Sequence, residues 1–371
     1  MNKKREIIQK EALTETLKHK RAGLGISMGV GKTLIGLSYI DHFQKRNMGK
    51  LKVLVVAPKL SIFESWRQDS EKFNISLEGV DFTTYLSLHK QPKAYDIIIL
   101  DECHSLLYSH EDYLNGFPGR ILGLTGTPPK WHKSEKGEMV NTYCPIKYKY
   151  ITDEAVGDHI LNDYKIVVHL LRLSYKSDLP VETKKGGVFY TSEEKNYSYW
   201  SERIASATSE KWKKIANIMR MKAMMEYPSK ERYAEKLFNQ IEDKCILFVN
   251  TQDQADRLCN HSYHSNNPDS PEILEAFSNG SITKMSSVLQ LNEGINIKGL
   301  KAGIIMHAYG NERKSSQRIG RLLRLNPDET AVAHILCYAD TVDEKWVKNA
   351  LEDFDKTKIT YVDTIQQSLN F

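Results

Sequence analysis

One junction restricts the fold of this chain more than any other. An apolar run, Gly23 to Ser27, enters Met28-Gly29-Val30-Gly31-Lys32-Thr33 and leaves as the helical pattern Leu34 to Phe43. A strand that feeds a glycine turn and then a helix opens a parallel α/β unit, because the return to a parallel neighbour needs a crossover. Glycines let backbone approach an anion without a Cβ clash, and the helix N-terminus turns free N–H groups toward it. In such a turn Gly29 and Gly31 supply the bend, Lys32 reaches the β- and γ-phosphates of a nucleotide, and the Thr33 hydroxyl ligates Mg²⁺. The strict spacing asks for Gly or Ala at position 26, where this chain has Ile26.

Further apolar runs follow at the spacing of an α/β domain, and each delivers a polar segment at its C-terminal end. Val53 to Ala57 ends at Pro58, Asp96 to Leu100 ends at Asp101, and Ile121 to Leu124 ends at Thr125. Asp101-Glu102 therefore sits at a strand terminus, where Asp101 would hold the metal and Glu102 would orient or deprotonate the attacking water. His104, two residues on, is placed to bond across to a second domain.

That second α/β pattern starts near Lys244, with strands at Cys245 to Val249, Ser286 to Leu289, Ala302 to Met306 and Ala331 to Leu336, and a helix over Gln252 to Cys259. It includes a helix carrying Gln317-Arg318-Ile319-Gly320-Arg321-Leu322-Leu323-Arg324. Arg321 and Arg324 are one turn apart and share a face, so they can act on charge developing at the γ-phosphate; Gln317 joins the nucleotide-binding set. Between the two patterns, Ile166 to Leu173 reads as an extended strand and Lys176 to Gly187 as a loop. A helix-rich insertion, about 190–240, is broken at Pro228 and carries Lys, Tyr and Trp. It is either an amphipathic pair packed on the core or a surface that stacks on a nucleic-acid strand. A short C-terminal helix, Glu344 to Phe354, packs on the second sheet.

With 371 residues, the chain exceeds what one core of roughly 150 residues serves, and two domains follow, 1–150 and 151–371. A net charge of +5 suits a nucleic-acid partner without requiring one. No apolar run reaches the roughly 18 residues of a membrane span and no signal peptide is visible, so a cytoplasmic location is expected. The five cysteines form no Cys-x-x-Cys pair, and His261-x-x-His264 has no second ligand pair beside it, which leaves no zinc or disulfide framework.

In their order, these runs resemble superfamily 2 helicases and translocases over nearly the whole chain. The resemblance implies two RecA-like P-loop domains in tandem, ATP and Mg²⁺ as cofactors, and hydrolysis coupled to movement on or unwinding of nucleic acid. It places Gln9, near Arg5, where the family reads adenine. Ala57-Pro58-Lys59 with Trp66, Thr84-Tyr85, and Asn292 resemble segments that touch the phosphate backbone. Thr125-Gly126-Thr127, with Glu293-Gly294, resembles the parts that couple hydrolysis to domain movement. His104, Thr-Gly-Thr and Gln317 differ from the DEAD-box RNA helicases and resemble phage, restriction-type and Swi/Snf-like DNA enzymes, which favours DNA over RNA. A phage or mobile-element origin is suggested by that resemblance alone, and the location would then be the host cytoplasm. The alternatives are an ATP-gated clamp that does not unwind and an RNA-directed helicase.

Overall fold

The computed structural model describes residues 3–27, 29–47, 51–129, 131–161, 163–183, 186–288, 297, 299–308, 330–352 and 354–364. These divide into two compact units, one ending at Asp163 and the other beginning at Tyr164.

The first unit runs α1 (Lys3–Leu17), β1 (Arg21–Ile26), α2 (Lys32–Arg46), β2 (Val53–Ala57), α3 (Ser61–Phe73), β3 (Val80–Thr84), β4 (Ile97–Asp101), α4 (Glu111–Leu114), β5 (Arg120–Thr125), α5 (Glu135–Tyr143), β6 (Ile146–Tyr150) and α6 (Thr152–Gly157). Its six strands are parallel in the order β3-β2-β4-β5-β1-β6. Helices cover the faces of such a sheet, so its central strands are apolar at consecutive positions and do not alternate. All of Val53–Ala57 and Ile97–Asp101 is buried. β3 and β6 are half-exposed edge strands whose mixed sequences, VDFTT and IKYKY, hide them from an apolar-run reading. Ile26 closes β1 as a core residue with no exposed surface, which accounts for an isoleucine at that position.

The second unit contains β7 (Tyr164–Leu171), β8 (Leu179–Glu182), β9 (Val188–Thr191), α7 (Glu193–Ala205), α8 (Glu210–Met225), α9 (Pro228–Gln240), β10 (Cys245–Val249), α10 (Gln252–Leu258), β11 (Ser262–Tyr263), α11 (Ser270–Asn279), β12 (Lys284–Val288), β13 (Ala302–Ile305), β14 (Ala331–Tyr338), α12 (Val342–Ala350) and β15 (Ile359–Asp363). Seven strands form a second parallel sheet in the order β11-β12-β10-β13-β14-β7-β15. α12 buries Val347 and Ala350 on packing against β14, as expected of the C-terminal helix.

One expectation is corrected here. The segment Lys176 to Gly187 is not all loop: β8 pairs antiparallel with β9, Leu179 opposite Thr191, across a turn closed by Thr183 and Gly187. A four-residue strand containing Pro180 carries too little pattern to be read. Within the insertion, α9 and the end of α8 pack on the core of the second unit through Met224, Tyr227, Ala234 and Phe238, whereas α7 and the rest of α8 pack chiefly on each other. In α8 only Ala216 and Met224 are buried, whereas Trp212, Ile215, Ile218 and Met219 stay exposed.

Candidate nucleotide site

Strand order decides what the first unit can assemble. β5 lies between β1 and β4, so the segments leaving their C-terminal ends are two strand spacings apart, about 10 Å. Glycine turn, acidic pair and the Thr125 segment thus emerge side by side.

Gly29 and Gly31 adopt φ of 89° and 103°, a region that L side chains rarely enter. Gly31 caps α2 without a side-chain hydrogen bond, so no side chain of the cap residue occupies the first N–H groups of Lys32–Arg46. The carbonyl of Val30, inside the turn, accepts two side-chain donors from α1: Gln9 Nε2 at 2.6 Å and Arg5 Nε at 3.0 Å. A Cβ on Gly31 would lie 2.5 Å from Gln9 Nε2. The turn is thereby clamped by α1, with one N–H of the Gln9 amide committed to it.

Lys32 and the acids converge. Lys32 Nζ lies 3.9 Å from Glu102 Oε1, both side chains being largely buried. Asp101 is nearly inaccessible and is held at three points. Its Oδ2 accepts from the Trp66 indole at 2.8 Å, its Oδ1 from the Glu102 N–H at 2.9 Å, and its carbonyl from the Tyr85 hydroxyl at 3.0 Å. Burial, reinforced by the neighbouring Glu102 carboxylate, pushes the Asp101 carboxyl up to about 7. Glu102 has a left-handed backbone, φ 51°, a strained state of the kind stored at functional sites. Its Oε2 is buried and accepts no well-aligned hydrogen bond, although His104 Nδ1 stands 3.3 Å away. Two largely buried carboxylates, one of them on a strained backbone, fit a divalent cation as their counter-charge. Thr33, half-buried in the first turn of α2, is the hydroxyl on the same side of the sequence junction.

His104 sits behind this pair. Its Nδ1 is 2.8 Å from Thr125 Oγ1, 3.5 Å from Thr127 Oγ1 and 3.3 Å from Glu102 Oε2, and Thr125 Oγ1 accepts the Thr127 N–H. All three coupling candidates of the first unit are therefore one hydrogen-bonded cluster against the acidic pair. Lys59 is exposed and Thr84 half-buried just beyond adjacent strands, with Ala57 registered opposite Thr84. Trp66 is corrected: its side chain has no exposed surface, so it cannot touch a nucleic-acid backbone and instead binds Asp101. Tyr85 is likewise buried. Arg321, Arg324, Gln317, Asn292, Glu293 and Gly294 lie outside the described residues.

Among the described residues no group of three or more His, Cys, Asp or Glu is arranged to hold a metal on its own. His264 is buried with its Nε2 2.9 Å from Asp256 Oδ1, a structural pair. No helix among the described residues is long and apolar enough to cross a membrane.

Residues 3–85 match the family described as Type III restriction enzyme, res subunit, and residues 229–326 match the helicase conserved C-terminal domain. Both matches are to domains of the superfamily 2 helicases and translocases, which the chain resembles at both ends of its motif order. Its two parallel-sheet units are the tandem RecA-like domains of that superfamily, and it is an ATP-hydrolysing enzyme. It is 24% identical to the DNA 3'-5' translocase XPB2 of Sulfurisphaera tokodaii, over 88% of this chain and 80% of that one. It is also 23% identical to putative helicase 109L of Invertebrate iridescent virus 3, over 56% of this chain and 67% of that one. In fold it is similar to the ATP-dependent Type ISP restriction-modification enzyme LlaBIII bound to DNA, with a TM-score of 0.63 and 14% identity. That match takes in 98% of this chain but only 31% of the larger enzyme.

Proposed function

We propose that this protein is an ATP-dependent DNA translocase or helicase. The observation that carries the ATP half is the convergence of Lys32, Asp101 and Glu102 beside a glycine turn clamped by α1. Lys32 and the N–H groups of α2 would bind the phosphates, with Gln9 and Gln317 completing the nucleotide site. Thr33 and Asp101 would hold Mg²⁺, which when bound supplies charge stabilisation to the phosphoryl oxygens. Glu102 would orient the attacking water, and Arg321 and Arg324 would stabilise the charge that develops on the γ-phosphate. The cluster of His104, Thr125 and Thr127, with Glu293 and Gly294, would report the state of the phosphate site.

DNA is the substrate favoured by the translocase relative, whose own name specifies DNA. Lys59, Thr84 and Asn292 are the proposed contacts to the phosphate backbone, which carries charge but no sequence, so binding should be sequence-tolerant and weaken with salt. The exposed Trp212, flanked by Lys211, Lys213 and Lys214, supports a further stacking surface on α8.

The test is ATP hydrolysis measured with no nucleic acid and with single-stranded, duplex and branched DNA and RNA. DNA should stimulate turnover, and Lys32→Ala or Glu102→Gln should abolish it. Turnover indifferent to every nucleic acid would refute the proposal; stronger stimulation by RNA would redirect it.

A further inference from the structure

Asp101 is gripped by two aromatic side chains, and both come from the segments that carry the candidate backbone contacts. Trp66 lies on α3, whose first turn follows Lys59, and Tyr85 follows Thr84. Each donates its one polar hydrogen to Asp101, the indole to Oδ2 and the phenol to the main-chain carbonyl. The indole is also locked sterically. It packs on Gly36 of α2, where a Cβ would stand 2.5 Å from Trp66 Cη2 and 3.1 Å from Leu124 Cδ1. A glycine inside a helix is unfavourable relative to alanine; here it opens the space that the indole needs to reach the acid.

We infer that Trp66 is a positioning residue for the metal-binding reaction step: it fixes the carboxylate rotamer of Asp101 and ties that rotamer to the segment carrying Lys59. The argument is geometric. A carboxylate with one oxygen committed to an indole N–H and the other to the Glu102 N–H has no rotational freedom, and a charge-assisted hydrogen bond in a buried site is about twice as strong as a neutral one. The inference rests on the proposed role of Asp101 in holding Mg²⁺.

The experiment uses the full chain labelled with ¹⁵N-tryptophan and a fluorescent ATP analogue, without nucleic acid. In Trp66→Phe, which keeps an aromatic ring but no donor, the Mg²⁺ concentration giving half-maximal analogue binding should rise about tenfold, while Mg²⁺-free binding is unchanged. Gly36→Ala, which displaces the indole without removing its N–H, should raise it in the same direction. The indole resonance lost in Trp66→Phe should shift in Asp101→Asn. An unchanged Mg²⁺ requirement in both variants, or an indole signal indifferent to Asp101→Asn, overturns the inference. Wild-type protein whose analogue binding ignores Mg²⁺ would overturn the proposed role of Asp101 itself, which keeps the two failures apart.

Discussion

Acidification should unlock the second unit at one buried pair. His169 on β7 and His334 on β14 are cross-strand neighbours, with His169 Nε2 3.0 Å from His334 Nδ1 and His169 Nδ1 2.9 Å from the Tyr233 hydroxyl. The chain Tyr233 O–H to His169, then His169 N–H to His334, needs both rings neutral. Burial lowers each to about 4, with the His334 ring adding to the effect at His169. The unfolded chain, with histidines near the usual value of about 6.5, therefore binds more protons than the folded one between these limits. Stability contributed by the pair is complete above about pH 6.5 and falls as pH drops toward 4. At pH 5.0 an unfolded histidine is about 97% protonated and a folded one about 9%, which gives about 2 kcal/mol per site. Because the two share a hydrogen bond and their titrations interact, the pair should lose about 2–4 kcal/mol in total. Urea unfolding at pH 7.5 and 5.0 measures this in wild type and in His169→Gln/His334→Gln. The double variant should lose that much less stability than wild type between the two pH values. Equal losses in the two proteins would refute the reasoning, since the other histidines titrate in both.

Asp343→Ala should destabilise by about 3–5 kcal/mol in urea, because it strands Lys230, whose Nζ is bonded to Asp343 Oδ2 with both side chains almost wholly buried; adding Lys230→Met should recover part of the loss, and no recovery would argue against a stranded charge. Gly31→Ala forces φ of 103° on an alanine and drives its Cβ at Gln9, a cost of about 1–3 kcal/mol, so affinity for a fluorescent ATP analogue should fall about tenfold or more. A wild-type affinity there would mean the turn is freer than its geometry. Arg321→Ala should lower turnover while the analogue still binds, and wild-type turnover would remove Arg321 from the γ-phosphate.

Where the coding is local, the chain could be read directly. The strand, glycine turn and helix at 21–46 are legible because period, φ demands and helix start all lie within one contiguous segment. The acidic pair is legible because it ends a fully buried strand. Edge strands β3 and β15 were not, since a half-exposed strand of mixed residues carries no apolar run.

What holds the site in shape depends on distant residues. Trp66 and Asp101 are 35 positions apart and Gln9 and Val30 are 21 apart, and nothing in either neighbourhood names the other. Gly36 is a local sign of the Trp66 contact, a glycine inside a helix where propensity disfavours one. The sequence by itself determined the chemistry on offer, a phosphate turn, two carboxylates and arginines, because those residue types and spacings are written in short segments. Only the tertiary structure decided which groups act together: the order β4-β5-β1 sets turn and acids side by side, and burial turns Trp66 from a surface aromatic into the partner of Asp101.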